Sequence, residues 1–322
     1  QFSPMTRGAS LDVQRVEALK GPQGTLFGQN ATGGAINFIA NKPTEEFEAG
    51  INMSYGKFGA LDVDGFVSGP ISDAWGYRVA LRSQTSDDWQ KSYVDDQEAG
   101  SRDEFAYRVS LAYDDDDRMR LLLTLSGFTN QSDTLRPQLA GKISQNPING
   151  ITPEFAAVPL APREADAAAW SPCANSNGGT PEDPNTRRWD RGCFPLESDD
   201  EFVSAQIRVD YDLTDNLLLT SLTSYNDFDQ NGTGMDGDGA ALQVYEQSHV
   251  GFMETFFQEV RLTGSFEGGT WVAGFNYEDM ETFDEYMHSY GHSSVVPVFG
   301  FIDYGPVTPT SAQDVTTWAA FA

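Results

Sequence analysis

The feature that most constrains this chain is a period-two alternation of apolar and polar residues that recurs along most of its length. Ile51, Met53 and Tyr55 alternate with Asn52 and Ser54, and Tyr77, Val79 and Leu81 with Arg78, Ala80 and Arg82. Tyr107, Val109, Leu111 and Tyr113 alternate with Arg108, Ser110 and Ala112, and Ile207, Val209 and Tyr211 with Arg208 and Asp210. The same pattern returns at Val260 and Leu262 and at Trp271, Ala273, Phe275 and Tyr277. Successive side chains of a strand face opposite sides, so each segment predicts a strand with one apolar and one polar face. Nowhere do eighteen apolar residues run together, so a membrane-crossing helix is excluded.

A soluble sandwich would give the same alternation. Connector lengths and residue placement separate the two. Short turns at Gly69–Trp75, Asp114–Arg118, Leu213–Asn216 and Ser265–Gly269 alternate with long connectors at Ser86–Asp103, Ser132–Ser198, Asp227–Val250 and Asp284–Ser311. Outer-membrane barrels alternate short periplasmic turns with long outer loops, whereas a compact sandwich rarely tolerates a connector as long as Ser132–Ser198. Aromatic residues such as Tyr55, Trp75, Tyr113 and Tyr211 lie near strand ends, where a membrane–water boundary would place them. Arg78, Arg82, Arg108, Arg208 and Arg261 fall on the polar faces. A cation facing lipid at mid-depth costs about 2–4 kcal/mol, and one facing an aqueous lumen costs little. The expected fold is therefore all-β and transmembrane: a partial antiparallel outer-membrane β-barrel of roughly ten strands over residues 46–322.

The formal net charge of −28 speaks against a nucleic-acid partner, since phosphate binding needs a basic face. The two cysteines, Cys173 and Cys193, share a Pro-, Asn- and Gly-rich stretch. They suit a loop disulfide in an oxidising compartment, worth about 3 kcal/mol in the chain-entropy description; two free thiols are the alternative. No nucleophile–base constellation is visible, so no enzyme is expected. His288 and His292 have i, i+4 spacing without a helical pattern around them, so no metal site is assigned. The run Asp236–Gly239 resembles the start of a calcium loop, but Gln247 stands where its bidentate acid should be. The chain starts at Gln1 without a signal peptide and ends on what reads as an unfinished strand, so part of a longer protein is expected.

Residues 13–43 read VQRVEALKGPQGTLFGQNATGGAINFIANKP: a short strand, a glycine-rich turn and a second strand. Pro22 stops the first strand, and Gly33–Gly34 permit positive φ and close backbone approach. This segment resembles the C-terminal part of the plug domain of TonB-dependent outer-membrane receptors. Arg15, Glu17, Gly21, Pro22, Gly24, Gly28, Gly33, Gly34 and Asn37 match that family's motif, while Lys20 stands where the family commonly has Arg. Lys20 keeps the charge but not the bidentate fork.

The resemblance implies a plug remnant over residues 1–45 ahead of the barrel strands, in the outer membrane of a Gram-negative bacterium. It implies active import energised by TonB, which would engage a TonB box missing from this chain, and it implies no cofactor. Most such receptors import ferric siderophores, and others take cobalamin, nickel chelates or oligosaccharides. A passive porin and a surface adhesin are the readings from other classes. Glu259 and Arg261 are candidates for charge contacts between plug and wall, with Arg15, Glu17 and Lys20 opposite. Asp236, Asp238, Tyr286, Tyr290 and Tyr304 are candidate ligand-loop residues. The stretch Asp227–Val250 is acidic and has no Lys or Arg, which favours neutral or cationic ligands, or divalent ions bridging lipopolysaccharide.

Overall fold

A computed structural model describes residues 8–21, 33–94, 96–115, 117–140, 160–170, 196–237, 239, 245–289 and 308–322. An N-terminal hairpin pairs β1 (Val13–Lys20) with β2 (Gly34–Ala40). There follow β3 (Glu48–Tyr55), β4 (Leu61–Pro70), β5 (Trp75–Ser86), the short β6 (Gln90–Ser92) and β7 (Glu98–Ala99), β8 (Arg102–Asp114), β9 (Met119–Asn130) and the short β10 (Ala167–Ala168). The last five are β11 (Asp200–Thr214), β12 (Leu217–Asp236), β13 (Glu246–Phe266), β14 (Gly269–Ser289) and β15 (Thr310–Phe321). Ten of these form one antiparallel sheet in the order β3-β4-β5-β8-β9-β11-β12-β13-β14-β15, with β3 and β15 at its edges. Strands consecutive along the chain are neighbours, as short hairpin turns require. β6, β7 and β10 make a small sheet of their own within the long connectors.

One end of the large sheet carries the tight turns. Glu267–Gly268 joins β13 to β14, and Gly268 takes φ +106, which a side chain would resist. At the β8–β9 turn the Asp115 carboxylate accepts the backbone N–H groups of Asp117, Arg118 and Met119 at 2.9–3.1 Å. Those bonds, the Met119 one foremost, hold Asp115 below its ordinary pKa. The opposite end carries the long connectors.

The two faces of the sheet differ in kind. Register places Ile51, Val63, Leu81, Tyr107, Leu125, Ala205 and Tyr225 on one face, and Asn52, Asp64, Arg82, Ala106, Ser126, Ser204 and Asn226 on the other. Ile51 is 76% exposed and Met53 72%, whereas Ser68 is 0% exposed and Ser110 4%. Exposed apolar and buried polar residues on one sheet reverse the arrangement of a water-soluble domain. The polar face is the inner one, because the N-terminal segment packs against it. Tyr55, Tyr77, Tyr107, Tyr113, Tyr211, Tyr225 and Tyr277 all take the outer face; Tyr286 takes the inner face.

Two connectors are shorter than the sequence pattern suggests. Residues 227–250 and 284–311 read as loops, yet β12 continues to Asp236, β13 begins at Glu246, β14 reaches Ser289 and β15 begins at Thr310. β12 has 20 residues and β13 and β14 have 21 each. A membrane crossing needs only about 9–11 residues, so these strands extend well past it. Beyond the bilayer both faces meet water, alternation is no longer selected, and the pattern that reveals a strand is lost.

Candidate functional site

Two clusters lie on the inner face. The first joins the N-terminal segment to the wall. Asp12, in the turn before β1, takes φ +50 and turns its carboxylate toward β5. Arg78 donates from Nε to Asp12 Oδ2 and from Nη2 to Oδ1, both at 2.6 Å, and the two side chains are only 6% and 7% exposed. Asn41 Nδ2 donates to Asp12 Oδ1 at 2.9 Å, which ties the end of β2 into the same pair. The Arg78 guanidinium lies 4.0 Å above the Phe66 ring on β4. Arg108 donates to the Leu11 carbonyl, and Arg82 donates to Ser10 Oγ at 3.0 Å. Three arginines of neighbouring strands thus hold one short segment, each making a charge-assisted or bidentate contact. Removing one partner of such a buried pair costs about 3–5 kcal/mol, because the other charge is left stranded.

The second cluster sits toward the long-connector end. Asp200, 2% exposed, accepts hydrogen bonds from Asn130 Nδ2 at 3.0 Å and from Gln230 Nε2 at 2.9 Å. On β13 and β14, His249 stacks on Tyr286 with ring centroids 4.1 Å apart and planes 8° from parallel. Tyr286 continues to His288 at 6.3 Å and 8°, and His288 to Tyr245 at 5.8 Å and 14°. His249 Nε2 lies 2.9 Å from Asp284 Oδ1, and His288 Nδ1 lies 3.0 Å from the Tyr245 hydroxyl. The result is a four-ring ladder with polar edges.

No protein-family profile matches the chain. It is similar to the pesticin receptor of Yersinia pestis, 41% identical over 95 residues, which are 27% of this chain and 13% of that protein. It is also similar to the ferripyoverdine receptor of Pseudomonas aeruginosa, 38% identical over 64 residues, 20% of this chain and 8% of that protein. Among solved structures, the siderophore receptor PiuA of Acinetobacter baumannii covers 94% of this chain with a TM-score of 0.62 at 16% identity. The ferric yersiniabactin uptake receptor FyuA of Yersinia pestis covers 96% at 0.59 and 17% identity. These relatives and neighbours are TonB-dependent outer-membrane receptors, and the chain is similar to them in sequence over part of its length and in fold over nearly all of it. It spans 43% of the PiuA chain and 41% of the FyuA chain, and its fold is theirs.

The motif residues are dispersed rather than gathered. Arg15 pairs with Glu17 at 2.7 Å on the exposed side of β1, and Asn37 lies opposite Glu17 on β2. Lys20 faces Gly34 at the end of the hairpin. Gly34 takes φ +144, and a Cβ there would stand 2.4 Å from the Leu19 carbonyl oxygen, so the motif glycine permits close strand approach. Gly21 takes φ +85, and among the described residues nothing lies within 4 Å of where a Cβ of Gly33 would stand. Glu259 and Arg261 lie on the inner face of β13, 3.6 Å from each other. Asp236 ends β12 and accepts the Gly239 N–H at 3.1 Å. Tyr286 belongs to the ladder. Pro22, Gly24, Gly28, Cys173, Cys193, Asp238, His292, Tyr290 and Tyr304 lie outside the described residues.

Sequence reasoning placed Arg78, Arg82 and Arg108 on the inner face but missed their partner segment. Asp12 is a lone acid in a turn, with no periodicity to mark it. The signal available was stoichiometric: three arginines on adjacent inward positions require an acceptor. His249 escaped notice because its neighbours in the sequence lie beyond the alternating region.

Proposed function

We propose that this receptor sits in the outer membrane and imports a ferric siderophore by active transport energised through TonB. Residues 1–45 would be the C-terminal part of its plug and residues 46–322 the N-terminal part of its barrel. The observation that carries the reading is the buried Asp12–Arg78 pair, which lodges a plug-like segment against the charged inner face of a sheet whose outer face is apolar. A passive pore has no use for such an obstruction, and an adhesin has no use for an apolar exterior. The pair fits a seal that holds at rest and yields only when worked on. TonB would engage a segment outside this chain, and lipid and lipopolysaccharide would surround the wall. Two of the receptors it is similar to are named for ferripyoverdine and ferric yersiniabactin, which supports an iron-chelate ligand. The site calls for no catalytic step.

A non-anionic cargo, an uncharged oligosaccharide included, is favoured by one specific observation. From Leu217 to Ala322 the sole Lys or Arg is Arg261, so the long strands and their connectors offer an anion almost no cationic partner. The test is uptake of radioactive iron by iron-starved cells with the gene present, deleted, or present in a TonB-deficient background. Uptake that requires both the receptor and TonB supports the import reading, and uptake unchanged by deletion contradicts it.

A further inference from the structure

We infer that the ring ladder of His249, Tyr286, His288 and Tyr245 is a docking platform for a flat, uncharged or cationic ring carried by the ligand; this rests on the import reading above. Four observations carry it. The first is orientation. Every other tyrosine of the ten-stranded sheet faces outward, where an amphipathic ring gains from the membrane and its boundary, whereas Tyr286 turns into the aqueous interior. A ring so placed gains nothing from lipid and remains 39% exposed. The second is position. His249 and Tyr286 are cross-strand partners in the part of β13 and β14 nearest the long connectors, on the same face as Arg78 and the N-terminal segment. Anything entering the interior from that end passes them.

The third is pre-organisation. The His249 and Tyr286 rings are nearly parallel at 4.1 Å, and Asp284 anchors His249 from the side. A ring locked by its neighbours loses little rotamer freedom when a ligand settles on it. Cross-strand ring pairs also stabilise strands. That role alone would be served by two apolar rings, as in the Phe252–Phe283 pair on the outer face. It does not call for imidazoles with hydrogen-bonding edges.

The fourth is charge. Asp284 borders the ladder, and the chain from Leu217 onward has Arg261 as its one Lys or Arg. An electron-rich face in an acidic setting attracts cations and neutral π-systems and disfavours anions.

The test uses the complete receptor in outer-membrane vesicles and three ferric complexes as probes. Ferric deferiprone is neutral with flat aromatic ligands, ferric acetohydroxamate is neutral and aliphatic, and ferric tiron is flat but strongly anionic. Binding is read as retained radioactive iron, corrected with vesicles lacking the receptor. The expected result is a preference of about threefold to tenfold for ferric deferiprone over each of the others. Tyr286→Ala should abolish that preference and Tyr286→Phe should keep it, since the ring and not the hydroxyl does the stacking. Equal binding of deferiprone and acetohydroxamate complexes by the unsubstituted receptor overturns the inference without any variant having to fold. A preference that survives in Tyr286→Ala overturns this inference alone. Binding of none of the three overturns this inference, whereas the import reading falls only if iron uptake is unchanged by deletion of the receptor.

Discussion

The two halves of the ten-stranded sheet do different work. In β3, β4, β5, β8 and β9 the strands run 8–13 residues, and their inner face presents Arg78, Arg82 and Arg108 to the N-terminal segment. From β12 to β14 the strands run 20–21 residues, the inner face carries Arg261 as its one strong cation, and the far end bears the ring ladder. The first half grips the chain's own segment with buried charge; the second reaches past the membrane and meets the medium with rings and carboxylates. On the proposed reading, one sheet that changes strand length and charge sign would serve as both the socket for a seal and the mouth of an entrance.

If the first half is the socket, breaking its central pair should have the largest effect. Arg78→Ala leaves the Asp12 carboxylate buried without its counter-ion and should destabilise the segment's attachment by about 3–5 kcal/mol. The readout is increased sensitivity of cells to a large antibiotic normally excluded by the outer membrane. Exchanging the charges in a double variant, Asp12→Arg with Arg78→Asp, should recover part of the loss. An attachment that ignores Arg78→Ala would erase the contrast between the halves.

Common to both halves is the division between faces, and one strand suffices to test it. Leu123→Arg places a cation on the outer face of β9 and should cost about 2–4 kcal/mol. Thr124→Arg, one residue on, points inward and should cost far less. Urea midpoints of the folded receptor in lipid vesicles distinguish the two.

The hairpin that precedes the sheet gives a smaller effect. Gly34→Ala must adopt φ +144 and press a methyl group against the Leu19 carbonyl, at a cost of about 1–3 kcal/mol. Faster amide exchange across β1 and β2, with the large sheet unchanged, is the expected signature.

Smallest is a pH effect in the connectors above β5 and β8. Burial, and then the neighbouring Asp133, raise Asp88 above its ordinary pKa of 3.8. A carboxyl with a raised folded-state pKa contributes stability that is full below its unfolded value and is lost as pH rises through the folded value. Asp88→Asn should therefore stabilise residues 87–101 slightly at neutral pH and make no difference well below pH 3.8. Limited proteolysis at the two pH values checks it.

The strands were legible because alternation is forced where one face meets lipid and the other water: Tyr107–Tyr113 and Ile207–Tyr211 could be placed, with their facing, from residue type alone. The glycine motif was legible because Gly21 and Gly34 sit at conformations few other residues adopt. The upper reaches of β12–β14 were not, since both of their faces are wet. Nor was the Asp12–Arg78 contact, which joins residues far apart in sequence through a turn that has no pattern of its own. The ladder was hidden for a related reason: its rings come from two strands and one connector, and only their registration makes them neighbours.

The central claim is that adjacent residues of one strand look into different solvents. Nitroxide labels placed singly from Leu121 to Thr129 of the complete receptor, in outer membranes, would report collision with oxygen in lipid and with a nickel chelate in water. The account predicts that the two accessibilities alternate out of phase with a period of two, oxygen high at Leu121, Leu123 and Leu125 and low at Leu122, Thr124 and Ser126. Accessibilities that fail to alternate, or that alternate in phase, would contradict it.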